Sequence, residues 1–229
     1  MEVRNEMTVK LFFEAIVKFL LGVVLVGALI FVPAGTLAFV QGWILMGILF
    51  LPMLAAGIVM MVKNPALLAR RLKAKEKEKT QDLVVKLSGL MFLCGFVLAG
   101  LGYRFSWYVL PLWVSIAASV LFLVAYVLYA EVMRENAYLS RTVGVAEGQR
   151  VVDTGMYGIV RHPMYSATLL LFLSMPLVLG SLYALAVFLL YPVLIVVRIR
   201  NEEKVLSEEL EGYSEYLRKV KYRLIPFIY

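Results

Sequence analysis

Cysteine and histidine are almost missing from this sequence: its 229 residues hold one cysteine, Cys94, and one histidine, His162. A lone cysteine excludes a disulfide within the chain and any cysteine-built metal site, and with a single imidazole beside it the composition argues against zinc catalysis. Charge is scarce too. Acidic and basic residues make up 17% of the chain, where soluble domains carry about a quarter. There is no internal repeat and no low-complexity segment. No small-residue cleavage site ends the first apolar run, so a cleavable signal peptide is not expected.

What fills the chain instead is hydrocarbon. Hydrophobic residues make 62% of it, and the mean hydropathy is +0.85. A bilayer core about 30 Å thick takes roughly 20 apolar residues per helix, and six runs qualify as spans. They cover about Leu11–Val32, Leu37–Val62, Leu83–Tyr103, Trp107–Val132, Met164–Leu179 and Leu182–Val197, the fifth being short. Pro33-Ala34-Gly35, Asn64-Pro65 and Gly180-Ser181 mark turns between them. The interruptions at Pro52, Pro111, Pro176 and Pro192 are tolerable where neighbours satisfy the freed carbonyls. The expected fold is all-α, a polytopic transmembrane bundle. Residues 1–132 form a four-span region, and residues 133–229 form a cofactor-binding region with two further spans and a C-terminal helix.

Lysine and arginine set the orientation. Arg4 and Lys10 precede the first span. Lys63, Arg70, Arg71, Lys73, Lys75, Lys77, Lys79 and Lys86 lie between the second and third, and Arg134, Arg141, Arg150 and Arg161 between the fourth and fifth. The tail adds seven more, from Arg198 to Arg223, while the opposite side receives only Arg104. Both termini are therefore expected in the cytoplasm of a prokaryotic cell, with the polar cap facing the cytosol. The net charge of +7 is accounted for by this bias and calls for no nucleic acid. No obligate protein partner is evident. Residues 66–80, basic with Leu67, Leu68 and Leu72 interleaved, read equally as an interfacial helix on anionic lipid or as a solvated loop.

Three polar stretches fall on that side: Glu131–Val143, Gly148–Tyr165, and the exit of the last span from Arg198 to Leu206, with Tyr213, Tyr216 and Tyr222–Pro226 beyond it. Proline suits the first position of a helix, so a helix is expected to start at Pro163 beside Arg161 and His162. A helix N-terminus with a guanidinium suits a carboxylate or phosphate, and Gly155 and Gly158 allow close backbone approach. The plainer reading has Arg161 snorkelling to lipid headgroups and His162 capping the helix. Glu202 and Glu203 are acids at a cationic surface. They either pair within their helix, as Arg198–Glu202 at i,i+4 would, or receive an amino group from a ligand. Both halves together suit an amino-acid zwitterion.

The block Gly155-x-Tyr157-x-x-Val160-Arg161-His162-Pro163-x-Tyr165, then Glu202-Glu203-x-x-Leu206, Tyr213-x-x-Tyr216 and Arg223-Leu224-Ile225-Pro226, resembles the isoprenylcysteine carboxyl methyltransferase family and its phospholipid and thiol methyltransferase relatives. The resemblance covers roughly the last 100 residues. It implies S-adenosylmethionine bound by Gly155, Tyr157, Arg161, His162, Pro163, Tyr165, Glu202 and Glu203, with Arg161 and Glu203 catalytic. Tyr213, Tyr216 and Arg223 would shape the cap. It further implies methylation of a lipophilic carboxylate. Such a substrate is expected to enter laterally from the bilayer, where Tyr126, Tyr129 and Tyr138 either line the route or, on the plainer reading, serve as interfacial aromatic anchors. The chain departs from the family's usual pattern at Met156, at Gly158-Ile159 and at Lys219-Val220-Lys221, which leaves prenylcysteine, thiol, aminolipid and isoprenoid acceptors open. A nicotinamide-dependent membrane reductase is the nearest rival. A transporter would carry mid-membrane charges, and Glu14 and Lys18 near one interface are the notable ionisable pair in the spans.

Overall fold

The computed structural model describes residues 2–72, 78–107, 109–140 and 142–229, with side chains from Lys10 onward. Lys73, Lys75, Lys77 and Arg141, and the side chain of Arg4, lie outside the described residues. Among those described there are nine α-helices: α1 (Glu2–Ala34), α2 (Val40–Lys63), α3 (Pro65–Leu72), α4 (Lys79–Arg104), α5 (Leu112–Glu135), α6 (Pro163–Val178), α7 (Leu182–Phe188), α8 (Tyr191–Glu209) and α9 (Tyr213–Lys219). One 3-10 turn spans Gly155–Gly158, and extended pairing is confined to isolated bridges. The fold is the expected all-α polytopic bundle.

Five segments are long and apolar enough to cross a membrane: Lys10–Ala34, α2, α4, α5, and α7 with α8 taken together as Leu182–Glu209. Only 11 to 33% of their apolar windows is buried inside the molecule. Their outward apolar surface, such as Val62 at 76% exposed and Leu51 at 70%, would be untenable in water and is natural against lipid. The fifth run is short, as expected: α6 has 16 residues and reaches only about 24 Å at 1.5 Å per residue. The last span is also not one continuous helix. Pro192, in the first turn of α8, has no N–H to offer the carbonyl one turn back, and the chain resets at Leu189-Leu190.

A contiguous buried core runs from Ile30 in α1 to Leu224 near the C-terminus. At its centre Phe92 meets Phe172 and Phe188 edge-on at 4.8 and 5.2 Å, and Phe172 meets Tyr191 at 4.7 Å. Small residues set how closely these helices approach. A Cβ on Gly95 would run into the Phe188 ring, and one on Gly100 would lie 2.5 Å from the Ile30 carbonyl oxygen of α1. Gly180, at φ +69°, turns the chain from α6 into α7, and the Ser181 hydroxyl caps α7 by accepting from the Ala184 N–H at 3.2 Å.

Within residues 66–80 the described part contains a helix docked on the protein. Leu67 and Leu68 of α3 are buried. Arg70 donates to the Ala137 carbonyl at 2.8 Å, and Arg71 lies over the Tyr129 ring and reaches the Met164 sulfur at 3.7 Å. Glu14 and Lys18 pair at 2.6 Å, as their i,i+4 spacing suggests, and Lys18 also donates to the Leu72 carbonyl.

Candidate functional site

The Arg161-His162-Pro163 turn is held by the returning C-terminus. Gly155 takes φ +54° to open the 3-10 turn, where a side chain would press on the Glu135 carboxylate, 3.0 Å from the Cβ position. Val160 then pairs in parallel with Tyr222, and the N–H groups of Arg161 and His162 donate to the carbonyls of Tyr222 and Arg223, each at 2.9 Å. Pro163 opens α6, as the sequence suggests. The backbone of His162 occupies the cap position, yet its side chain makes no capping bond and points its Nε2 to Glu203 at 3.3 Å. Ser166 ties the first turn of α6 to the Leu224 carbonyl at 2.6 Å.

Consecutive residues on a helix point about 100° apart, and α8 uses that angle to give its two glutamates different partners. Glu203 turns inward. Arg161 Nε donates to its Oε1 at 2.7 Å and Arg223 Nε to its Oε2 at 2.9 Å, with the Arg161 and Glu203 side chains each 9% exposed. Two guanidiniums and an imidazole compensate this buried carboxylate. Arg161 also donates to the carbonyls of Val220 and Lys221 at 3.0 and 3.2 Å. Glu202 turns to the other side, where it accepts from the Tyr165 hydroxyl, which in turn accepts from Arg198 Nε at 2.8 Å. Arg198 and Glu202 thus meet on a tyrosine of α6. Gln81 of α4, fully buried, fixes the start of this exit by donating to the Arg198 carbonyl at 3.0 Å and to Asn201 Oδ1 at 2.7 Å.

Between these elements lies a cleft with about 820 Å³ of empty space, its open mouth included. One wall is charged and aromatic: Tyr157, Arg161, His162, Tyr165, Arg198 and Glu202. The lining also includes the apolar Val151, Leu206 and Leu210 with Tyr213 and Tyr216, and Asn136, Tyr138, Ser140, Thr142, Gln149 and Arg150 contribute polar groups. Leu210, Tyr213, Tyr216 and Val220 form a small core of their own, packed on Val145, Val151 and Leu206. The Tyr216 hydroxyl donates to the Tyr157 carbonyl at 2.8 Å, and Asn136 donates to the Tyr157 hydroxyl at 3.1 Å. Burial pushes the phenols of Tyr157, Tyr213 and Tyr216 above their ordinary value, so all three stay protonated. The Tyr213 hydroxyl, buried, has no hydrogen-bond partner among the described residues.

Of the eight cofactor-binding candidates, Tyr157, Arg161, His162, Tyr165 and Glu202 line the cleft. Gly155 and Pro163 shape the turn behind it, and Glu203 sits beneath Arg161 and His162. Sequence reasoning missed Asn136, Met164, Val151 and Leu210 as lining residues, and Gln81 as a support. Asn136, Val151 and Met164 stood within the polar stretches, the one signal available; Leu210 looks like any packing residue. Tyr138 lines the rim, while Tyr126 donates to the Leu49 carbonyl at 2.8 Å and Tyr129 lies under Arg71. No group of three or more metal-ligating side chains occurs among the described residues.

The fold is a helical bundle with five segments long and apolar enough to cross a membrane, and it carries a charged, aromatic cleft. Residues 113–211, from α5 to just beyond α8, match the phospholipid methyltransferase family, which is related to the isoprenylcysteine carboxyl methyltransferases, so this stretch carries a domain of that family. The chain is 34% identical over 91 residues to a mouse Delta(14)-sterol reductase, TM7SF2, covering 38% of this chain and 22% of that protein. To the Delta(14)-sterol reductase of Arabidopsis thaliana it is 31% identical over 90 residues, 37% of this chain and 24% of the other. To the uncharacterized protein YpbQ of Bacillus subtilis it is 34% identical over 97 residues, covering 42% and 57%. The chain thus spans under a quarter of the two reductases and somewhat over half of YpbQ.

Proposed function

We propose that this protein is an S-adenosylmethionine-dependent methyltransferase of the membrane, acting at the cytosolic interface on the carboxylate of a lipophilic, isoprenylcysteine-like molecule that arrives from the bilayer. The observation that carries the reading is the cleft's pairing of a carboxylate, Glu202, with the guanidiniums of Arg161 and Arg198 in a lining that also holds apolar and aromatic side chains. A zwitterionic amino acid joined to a flat heterocycle needs that combination.

Glu202 would hold the ligand's ammonium, and Arg161, with the N-terminal turn of α6, its carboxylate. When bound, the cofactor supplies an electrophilic methyl on a sulfonium, and an acceptor that is already an anion needs no general base. The protein's own work is then to orient the partners and exclude water. Arg161 is the residue we assign to contact. Glu203 acts through Arg161 and His162, positioning both. Arg150, Arg161 and Arg198, the cations of the cleft lining, favour an anionic acceptor over an aminolipid, while a thiolate would fit equally.

A second reading has an observation behind it. The identity to two proteins named Delta(14)-sterol reductases supports a nicotinamide-dependent membrane reductase with the same cleft. Calorimetry on detergent-purified protein separates the two. Micromolar binding of S-adenosylhomocysteine, lost in Glu202→Gln and His162→Ala, is the expected result. Binding of NADPH with none of S-adenosylhomocysteine would replace the methyltransferase by the reductase.

A further inference from the structure

Five tyrosines line the cleft, and four of their hydroxyls are engaged. Tyr138 donates to the Gly148 carbonyl, Tyr157 accepts from Asn136, Tyr165 bridges Arg198 and Glu202, and Tyr216 donates to the Tyr157 carbonyl. Tyr213 differs. It is 4% exposed, its hydroxyl is shut off from solvent, and it has no hydrogen-bond partner among the described residues. A buried hydroxyl left unsatisfied is costly and rare in folded proteins, and is most simply explained by a partner that arrives from outside the chain.

The surroundings restrict what that partner is. Burial, then the charges of Glu203 and Glu202, hold the phenol protonated, so it has a proton to donate. Arg161 also faces the phenol and offsets those carboxylates, so the setting favours neither an anionic nor a cationic group. What remains is a neutral hydrogen-bonding group. Val151, Leu206 and Leu210 beside it offer an apolar face suited to a flat ring. We propose that the Tyr213 hydroxyl is the specificity contact for the nucleoside part of the cofactor, bonding a neutral hydroxyl or ring nitrogen of adenosine. This rests on reading the cleft as a cofactor site, and it holds under either reading above, because S-adenosylmethionine and NADPH share adenosine.

The test compares the parent with Tyr213→Phe and Glu202→Gln, using S-adenosylhomocysteine, 5′-methylthioadenosine and NADPH as calorimetric probes, with thermal unfolding of each unliganded variant. Tyr213→Phe is expected to weaken the nucleoside probes that the parent binds by about tenfold, as one lost hydrogen bond should. It should leave the unliganded midpoint unchanged or raised, since an unsatisfied hydroxyl has been removed. Glu202→Gln is expected to spare methylthioadenosine, which has no amino-acid end. Undiminished binding by Tyr213→Phe, or a loss confined to S-adenosylhomocysteine, would overturn the assignment while leaving the cofactor reading intact. Should the parent bind none of the three, the cofactor reading itself falls and the Tyr213 assignment with it.

Discussion

At the scale of single residues, the two adjacent glutamates of α8 show how one turn of helix divides labour. Both were equal candidates as letters, since Glu202-Glu203 is a pair of identical side chains. The 100° between them sends Glu203 to Arg161, His162 and Arg223, and Glu202 to the cleft. Their substitutions should therefore differ in kind. Glu203→Ala leaves a buried guanidinium without its counter-charge, which typically costs about 3 to 5 kcal/mol, and a lowered unfolding midpoint in detergent is the expected readout. Glu202→Gln keeps its shape and its contact with Tyr165, so the midpoint should hold while ligand affinity falls. Equal midpoints for both variants would mean that Glu203 is not a strut.

At the scale of elements, several features were legible because the signal is local. Pro163 starts α6 and Gly180-Ser181 ends it, each for a backbone reason that needs no neighbour. The return of residues 222–224 onto the Arg161-His162 turn was not legible, although every residue in it had been noticed. Hydrogen bonds between segments sixty residues apart leave no periodicity to read. The break at Leu189-Leu190 was visible as Pro192, yet membrane helices often absorb a proline, so its effect depended on packing. Glycines in α4 carry similar hidden information. Gly100 permits α1 to approach until a Cβ would stand 2.5 Å from the Ile30 oxygen. Gly100→Ala should accordingly push the two helices apart at a cost of about 1 to 3 kcal/mol, seen as a lower unfolding midpoint, whereas Gly89→Ala, with nothing within 4 Å, should be neutral or stabilising.

At the scale of the whole molecule, three of the basic residues that sequence places on one side, Arg150, Arg161 and Arg198, line the cleft, and this makes orientation testable with a single chemistry. The lone Cys94 lies within α4, so its replacement by alanine gives a thiol-free background. In intact cells an impermeant maleimide should then label Arg104→Cys from outside and leave Lys221→Cys untouched until the membrane is opened. The reverse pattern would invert the topology and move the cleft to the outer surface.

The shortness of α6 has a physical meaning at this scale. A helix reaching about 24 Å in a hydrocarbon layer of about 30 Å draws the nearby leaflet inward, and the cleft opens at the N-terminal end of that helix. The protein would then stand in a dimple of its own making. A water-soluble ligand and a lipid headgroup could meet there at one depth, without the lipid being hoisted out of its leaflet. Turnover in synthetic bilayers should then rise as acyl chains shorten toward the length of α6 and fall as they lengthen, because thicker membranes make the dimple deeper and more expensive to hold.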